Sequence, residues 1–302
     1  MIRPIDFVLP HGITLSCRTA ADAQSTPPRV LLLHGFPEAA FAWDAVQQQL
    51  AEGSQPVVAL APNLRGYAGS SAPAGVSAYR PKHLVADVVA LIEQLGAPLD
   101  LLVAHDWGGA LAWNLAAARP DLLKRLLIIN SPHPAAFVRE LRHNAPQQAA
   151  SAYMNFFCRP DAAALLAEHD FKRLWPFFGE QPAWLDETQR AAYRAVWGAN
   201  GQGLEGPLNY YRASPLRPPV SADDAIHSLD LPDAAVTVRV PTTVLWGERD
   251  HALLPGLLQG LAHWVPDLQL LRVPEASHWL VHEHPALVVQ TIRQLAQAVH
   301  RD

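Results

Sequence analysis

The chain has 302 residues, half of them apolar and 17% charged, which is the composition of a globular protein with a sizeable core. Its formal net charge of −5 offers no basic face for nucleic acid, and no stretch of sequence has the apolar length of a membrane span. The first residues resemble no signal peptide, and two cysteines, Cys17 and Cys158, are too few for a disulfide framework. We therefore expect a cytoplasmic protein that binds neither nucleic acid nor membranes.

Strand and helix patterns alternate in the first part of the chain. In chain order the predicted elements are two strands within 5–18, a strand in 29–38, a strand in 56–71, a helix over 82–95, a strand in 99–106, a helix over 110–118 and a strand in 123–130. Most of these strands are apolar throughout, which is typical of a parallel sheet covered by helices on both faces. The sequence therefore predicts an α/β fold.

This alternation stops between residues 135 and 235, where aromatic-rich helical patterns replace it. Strand patterns return at 240–250 and 268–279, and a last helix begins at Pro285. We expect one α/β core, residues 1–134 and 236–302, interrupted by a helical cap or lid domain, residues 135–235. Because open α/β sheets bind ligands at the carboxyl edge of their strands, an insertion there would cover the site.

The segment VAHDWGGALAW, residues 103–113, runs from a strand through a sharp turn into a helix. Asp106 lies at the turn, and its small neighbours Ala104 and Gly108 fit the pattern of a nucleophile elbow. A carboxylate is ionised at neutral pH and forms an ester with an alkyl carbon, which favours displacement at an sp³ centre. Because Asp is also a common helix N-cap, this interpretation depends on its partners.

A base and an orienting acid follow in the order that the elbow motif requires. His278 comes after the last predicted strand, and Asp250 comes after the strand before it. Glu248, in the same loop, is the alternative acid. Other nearby histidines are interpreted as a packed neighbour of the nucleophile and as solvated residues before the last helix: His105, His282 and His284.

The HGFP segment at 34–37 follows the first long strand, where this architecture supplies one oxyanion-hole donor. We expect the backbone N–H groups of Phe36 and Trp107 to stabilise a tetrahedral oxyanion. We also expect Pro37 and Trp107 to line the substrate pocket.

Five segments, in this order, resemble the α/β-hydrolase fold family, and within it the epoxide hydrolases: HGFPE, NLRGYAGSS, HDWGGALAW, GERD and SHW. The resemblance covers nearly the whole chain, and HDWGG is typical of the branch with an aspartate nucleophile. It implies an enzyme that needs no cofactor or metal and converts a small apolar epoxide and water to a vicinal diol. The oligomeric state, monomer or homodimer, stays open.

Two lid tyrosines bind the epoxide oxygen in this family, and the resemblance assigns that role to Tyr153 and Tyr211. Tyr211 lies in GPLNYYRA, and Tyr153 lies before NFFCRPD. Adjacent helical residues point about 100° apart, so Tyr210 and Tyr211 should not face the same oxygen.

Other activities of the same branch stay as alternatives. Trp107 and Ala110 stand where haloacetate dehalogenases carry arginines, which disfavours a carboxylate substrate. A haloalkane dehalogenase would use the same ester, although Phe36 stands where those enzymes often show Asn. A non-catalytic ligand receptor is the more remote alternative. Three residues depart from the family pattern: Asn63, Ala68 and Ala104.

Overall fold

An eight-stranded sheet forms the centre of the protein in the computed structural model, which describes residues 1–20, 29–53 and 55–299. The strand order is β1-β2-β4-β3-β5-β6-β7-β8. The strands are β1 (Arg3–Val8), β2 (Thr14–Thr19), β3 (Val30–Leu33), β4 (Ala59–Pro62), β5 (Leu101–His105), β6 (Leu126–Ile129), β7 (Thr242–Gly247) and β8 (Leu268–Val273). The first two pair antiparallel, β2 pairs antiparallel with β4, and the pairs from β4 to β8 are parallel. The predicted mostly parallel α/β sheet is therefore confirmed.

Helices lie on both faces of this sheet and also occur throughout residues 135–235. In chain order they are α1 (Asp44–Ala51), α2 (Pro81–Gln94), α3 (Asp106–Ala118), α4 (Pro134–His143), α5 (Ala145–Ala150), α6 (Tyr153–Phe157), α7 (Ala162–Phe171), α8 (Glu187–Trp197), α9 (Glu205–Ala213), α10 (Ala225–Ser228), α11 (Asp233–Val236), α12 (Leu280–Glu283) and α13 (Pro285–Ala298). None of the helices within the described ranges is long and apolar enough to cross a membrane.

Successive side chains of one strand enter two different cores. In β5, Leu102 and Ala104 pack into the core that includes α2 and α3, while Leu101 and Val103 pack into the core that includes α1 and α13. This alternation follows from the two-residue repeat of a strand, and it requires apolar residues at every position. The parallel pairing of the strands places the carboxyl ends of β3, β5, β6, β7 and β8 along one edge of the sheet.

Helix α3 begins at Asp106, whereas the sequence predicted a helix only from residue 110. The apolar repeat that marks a helix starts at Leu111, because Gly108 and Gly109 occupy its first turn. Because glycine has no apolar side chain, the apolar repeat does not extend back to the first residue of the helix. The helix therefore follows the strand β5 with no intervening loop.

Residues 135–235 contain helices and turns and no strand, and all of this segment lies within the described ranges. Helix α9 approaches the loop after β4 so closely that a Cβ on Gly206 would lie 2.5 Å from the backbone oxygen of Gly66. Only glycine allows two backbones to pack at this distance. The contact holds the helix that carries Tyr210 and Tyr211 against the core.

Candidate active site

The backbone at Asp106 has the strained conformation that the elbow motif predicts. Its φ is +49°, in the left-handed region that non-glycine residues rarely adopt. Gly35 lies directly opposite, and a Cβ there would be 2.3 Å from the Asp106 Cβ. Glycine at position 35 therefore leaves room for the carboxylate, and the Phe36 N–H donates a 2.8 Å hydrogen bond to Asp106 Oδ1.

The two glycines after Trp107 let helix α3 pack against neighbouring strand ends. A Cβ on Gly108 would lie 2.7 Å from the His34 backbone oxygen, and one on Gly109 would lie 2.3 Å from the Ser131 Cβ. The Ser131 hydroxyl also donates to the Asp106 backbone oxygen at 2.7 Å. The two glycines thus allow the first turn of α3, which begins at Asp106, to pack closely against the neighbouring strand ends.

His34 holds the loop that carries the Phe36 donor. Its Nε2 accepts the Leu64 N–H at 3.1 Å, so Nδ1 carries the proton and donates to the Gly35 backbone oxygen at 3.0 Å. Burial lowers the pKa of His34 to about 4, against a smaller opposing effect of the Gly35 hydrogen bond. His34 is therefore neutral, and its hydrogen bonds stabilise the conformation of this loop.

The structure brings His278 and Asp250 together beside Asp106. His278 Nδ1 lies 2.7 Å from Asp250 Oδ2, and its Nε2 lies 3.8 Å from Asp106 Oδ2. The Asp250 side chain is fully buried, while His278 and Asp106 keep 12% and 14% exposure. The order carboxylate, imidazole, carboxylate is the arrangement of a triad, and Nε2 faces Asp106 at a distance longer than a hydrogen bond.

Asp250 is satisfied on both carboxylate oxygens. Oδ1 accepts the N–H groups of Ala252 and Leu253 at 2.8 and 2.9 Å, and Oδ2 accepts Asn130 Nδ2 at 2.8 Å in addition to His278. Burial alone would raise the pKa of Asp250, but the charge of His278 and these hydrogen bonds hold it below its ordinary value. Asp250 is therefore a permanent carboxylate.

Glu248, the alternative acid, points elsewhere and pairs with Arg272 at 2.5 Å. The geometry brings Asp250, and not Glu248, to His278.

The pKa of His278 is raised to about 9. Burial lowers it, but Asp250 raises it more, through its charge and its hydrogen bond, and Asp106 and Glu38 add to this effect. The basicity of His278 thus depends in part on whether Asp106 is charged.

Two tyrosine side chains face Asp106 from the other side. Tyr153 begins α6 and Tyr211 lies on α9, and both line the same cavities as Asp106. The ring of Tyr211 packs edge-on against Phe36 at 5.3 Å and against Trp107 at 5.1 Å, which fixes its position.

Tyr210 points away from this site, as the helical geometry predicts. Its hydroxyl donates to the Arg65 backbone oxygen at 2.8 Å.

Burial raises the pKa of both Tyr153 and Tyr211 above the ordinary value of a phenol, and the nearby negative charge of Asp106 adds to the effect. Both hydroxyls therefore keep their protons and can act as donors.

Two cavities meet at Asp106, Tyr153 and Tyr211. The wide cavity, of about 570 Å³, is walled by apolar and charged residues, among them Phe36, Pro37, Phe177, Trp279, Arg249 and Glu275. The narrow cavity, of about 70 Å³, is walled by Trp107, Phe137, Met154, Leu216 and Leu253. Pro37 lines the wide cavity and Trp107 lines the narrow one.

His282 was predicted to be solvated, and this prediction is wrong. Its side chain is 9% exposed and its Nε2 contacts Glu38 Oε1 at 2.6 Å. The Tyr193 hydroxyl donates to the same oxygen at 2.7 Å, and His105 Nδ1 lies 3.4 Å from Oε2. We call Glu38, His105, Tyr193 and His282 the Glu38 cluster.

Sequence reasoning gave no role to Glu38 or to Asn130, although both stand directly at strand-end loops. A polar residue at the carboxyl edge of a parallel sheet was the available signal.

Comparisons with known proteins were consistent over nearly the whole chain. The α/β-hydrolase fold family matches residues 28–285. The AB hydrolase superfamily protein YfhM of Bacillus subtilis (strain 168) is 35% identical over 289 residues, 95% of either chain. Epoxide hydrolase 4 of Mus musculus is 32% identical over 86% of this chain and 70% of its own. A crystal structure of Bacillus megaterium epoxide hydrolase with an inhibitor superposes with a TM-score of 0.83 at 29% identity, covering 97% of this chain and 100% of that chain.

Proposed function

Because this chain belongs to the α/β-hydrolase fold family, and within it to the epoxide hydrolases, we propose that it opens an epoxide to a vicinal diol through an ester on Asp106. We propose that residues 135–235 act as the cap of this site, over a core of residues 1–134 and 236–302. The observation that carries the proposal is the position of Asp106 between a His278–Asp250 pair on one side and two protonated tyrosines on the other.

In the first step, Asp106 attacks a ring carbon while Tyr153 and Tyr211 donate to the ring oxygen. Asp106 Oδ1 is held by the Phe36 N–H, so Oδ2 is the free oxygen for attack. The new bond joins Oδ2 to carbon, the ring C–O bond breaks, and a tyrosine proton passes to the departing oxygen. Positioned acids of this kind contribute roughly 10²- to 10⁴-fold to a rate.

In the second step, His278 Nε2 takes a proton from a water that attacks the Asp106 carboxyl carbon. The negative charge moves to Oδ1, where the Phe36 N–H already donates and the Trp107 N–H supplies the second donor of the hole. The protonated His278 returns its proton to the leaving diol oxygen. The proton left on the Asp106 carboxyl restores the tyrosine, so epoxide and water are converted to diol with no net change in the enzyme.

The charge on Asp106 coordinates the two steps. Esterification neutralises Asp106, which is one of the groups that raise the pKa of His278 to about 9. The pKa of His278 therefore falls in the ester, and more of the imidazole is neutral at the moment when a base is needed.

The two cavities support a substrate with one bulky apolar substituent and one small substituent. A cavity of about 150 Å³ is known to hold a benzene molecule. The wide cavity, at about 570 Å³, exceeds this volume and the narrow cavity, at about 70 Å³, falls below it. Styrene oxide, with a phenyl ring on one carbon and hydrogens on the other, matches this asymmetry.

A single turnover of styrene oxide in oxygen-18 water, with enzyme in excess, tests the mechanism. The label should enter the peptide that carries Asp106 and be missing from the diol, since the diol takes its new oxygen from the carboxylate. Label in the diol alone would show direct attack by water and refute the ester. Bromide release from a bromoalkane, without diol from styrene oxide, would instead identify a haloalkane dehalogenase.

A further inference from the structure

The Asn130 side chain connects the loop after β6 with Asp250 and with Gly247 through hydrogen bonds. Asn130 follows β6, is fully buried, and has φ of +39°, which Asn tolerates better than most residues. Its Nδ2 donates to Asp250 Oδ2 at 2.8 Å and to the Gly247 backbone oxygen at 3.2 Å. Its Oδ1 accepts the Gly247 N–H at 2.8 Å.

These partners determine the orientation of the amide. A reversed amide would point an oxygen at the Asp250 carboxylate and another nitrogen at the Gly247 N–H. The Asn130 N–H group therefore faces the same carboxylate oxygen that receives the His278 Nδ1–H.

We propose that Asn130 is a positioning residue for the hydrolytic step, because it shares Asp250 Oδ2 with His278 and so sets how strongly Asp250 holds a proton on His278. The inference rests on the proposed function. The lone pairs that Asn130 occupies are not available to His278, and hydrogen bonds to a carboxylate are among the stronger ones in proteins.

The direction of the effect follows from the charges around His278. Asp250 faces Nδ1, Asp106 faces Nε2 at 3.8 Å, His105 packs with its ring centroid 4.7 Å away, and Glu38 acts from behind His105. When Asn130 is removed, Asp250 Oδ2 accepts a hydrogen bond from His278 alone and stabilises the imidazolium further. The base is then neutral only at higher pH.

A second contribution is geometric. Gly247 touches the loop before His278, since a Cβ on Gly247 would lie 2.2 Å from the Ser277 backbone oxygen. Asn130 hydrogen-bonds both the N–H and the backbone oxygen of Gly247. It therefore fixes the end of β7, next to the loops that carry Asp250 and His278.

The test measures both half-reactions across pH in Asn130→Gly, which removes the donor and tolerates the positive φ. We expect ester formation to persist, and the pH midpoint of ester hydrolysis to move upward by about one unit, which slows hydrolysis about tenfold below the midpoint. Raising the pH should restore the hydrolysis rate. A purely structural role would slow both half-reactions at every pH, and that result would overturn the proposal.

Asn130→Asp is the second variant, because it keeps the size of the side chain and an acceptor for the Gly247 N–H. Two buried carboxyl groups at this distance share one proton, so the variant keeps an O–H donor to Asp250, and its midpoint should stay near the wild-type value. Asn209→Asp is the matched control, since Asn209 is also buried but its Oδ1 accepts from Arg212. A wild-type midpoint in Asn130→Gly would refute the inference, whereas a wild-type enzyme that forms no ester would refute the proposed function itself.

Discussion

Asp250 and Glu38 are both buried carboxylates that contact histidine, and of the two only Asp250 lines a cavity at the site. Asp250 pairs with His278 on the wall of the wide cavity. Glu38 is equally buried and contacts His282, Tyr193 and His105, yet neither Glu38 nor its two histidines line a cavity at the site. A buried acid next to a histidine therefore does not identify a catalytic pair, and access to substrate makes the difference.

The Glu38 cluster connects residues 184–197 to the loop that follows β3. Tyr193 lies on α8, and Trp197 on the same helix donates to the Pro37 backbone oxygen at 2.8 Å. The Trp184 ring also stacks on His282 at 4.2 Å. These contacts tie residues 184–197 to the loop that follows β3, so we expect the cluster to act mainly through stability.

The largest predicted effect is the difference in kcat between a variant of Asp250 and a variant of Glu38. Asp250→Asn should lower kcat for diol formation by about 10³- to 10⁴-fold, because His278 loses the acceptor that fixes its tautomer. Glu38→Gln should lower kcat less than tenfold while reducing the free energy of unfolding by about 1.5–3 kcal/mol. Steady-state kinetics and urea unfolding measure both quantities. Equal losses of kcat in the two variants would contradict the distinction.

A smaller effect should distinguish the adjacent tyrosines of α9. Tyr211→Phe removes a donor at the cavity and should slow ester formation by about 10²-fold. Tyr210→Phe removes only the bond to the Arg65 backbone oxygen, so it should leave that rate within twofold and cost about 1 kcal/mol of stability. Rapid-quench kinetics with styrene oxide provide the comparison. A slow Tyr210→Phe variant would mean that α9 must be intact, rather than that one hydroxyl is needed.

The features that could be predicted from the sequence are those written in local patterns. The strands carry continuous apolar runs, and the positive φ at Asp106 follows from a turn between a strand and a helix with small neighbours. His278 and Asp250 could be identified because the carboxyl ends of parallel strands meet at one edge of the sheet.

Other parts of the site depend on contacts that no local pattern records. Asn130 and Asp250 are 120 residues apart, and Glu38 and His282 are 244 residues apart. The expectation of a solvated His282 failed because its position near a helix start said nothing about Glu38. The roles of Tyr153 and Tyr211 could be assigned only from the resemblance to a family. Hydrophobic periodicity does not distinguish an aromatic residue that binds substrate from one that packs in the core.

The smallest predicted effect concerns the pH dependence of stability. Burial alone would raise the pKa of Glu38, but the charge of His282 and the neighbouring His105 hold it well below its ordinary value. A carboxyl whose pKa is depressed in the folded state stabilises the protein above its unfolded pKa of about 4.3, and this stability is lost as the pH falls further. Wild-type stability should therefore decline below about pH 4.5, and Glu38→Gln should remove at most about 1.4 kcal/mol per pH unit from that slope. Urea unfolding at pH 6, 4.5 and 3.5 measures the slope, and Glu187→Gln, at an exposed ion pair, is the matched control. An unchanged slope in Glu38→Gln would mean that Glu38 contributes no proton-linked stability, and the role assigned to its cluster would then rest on packing alone.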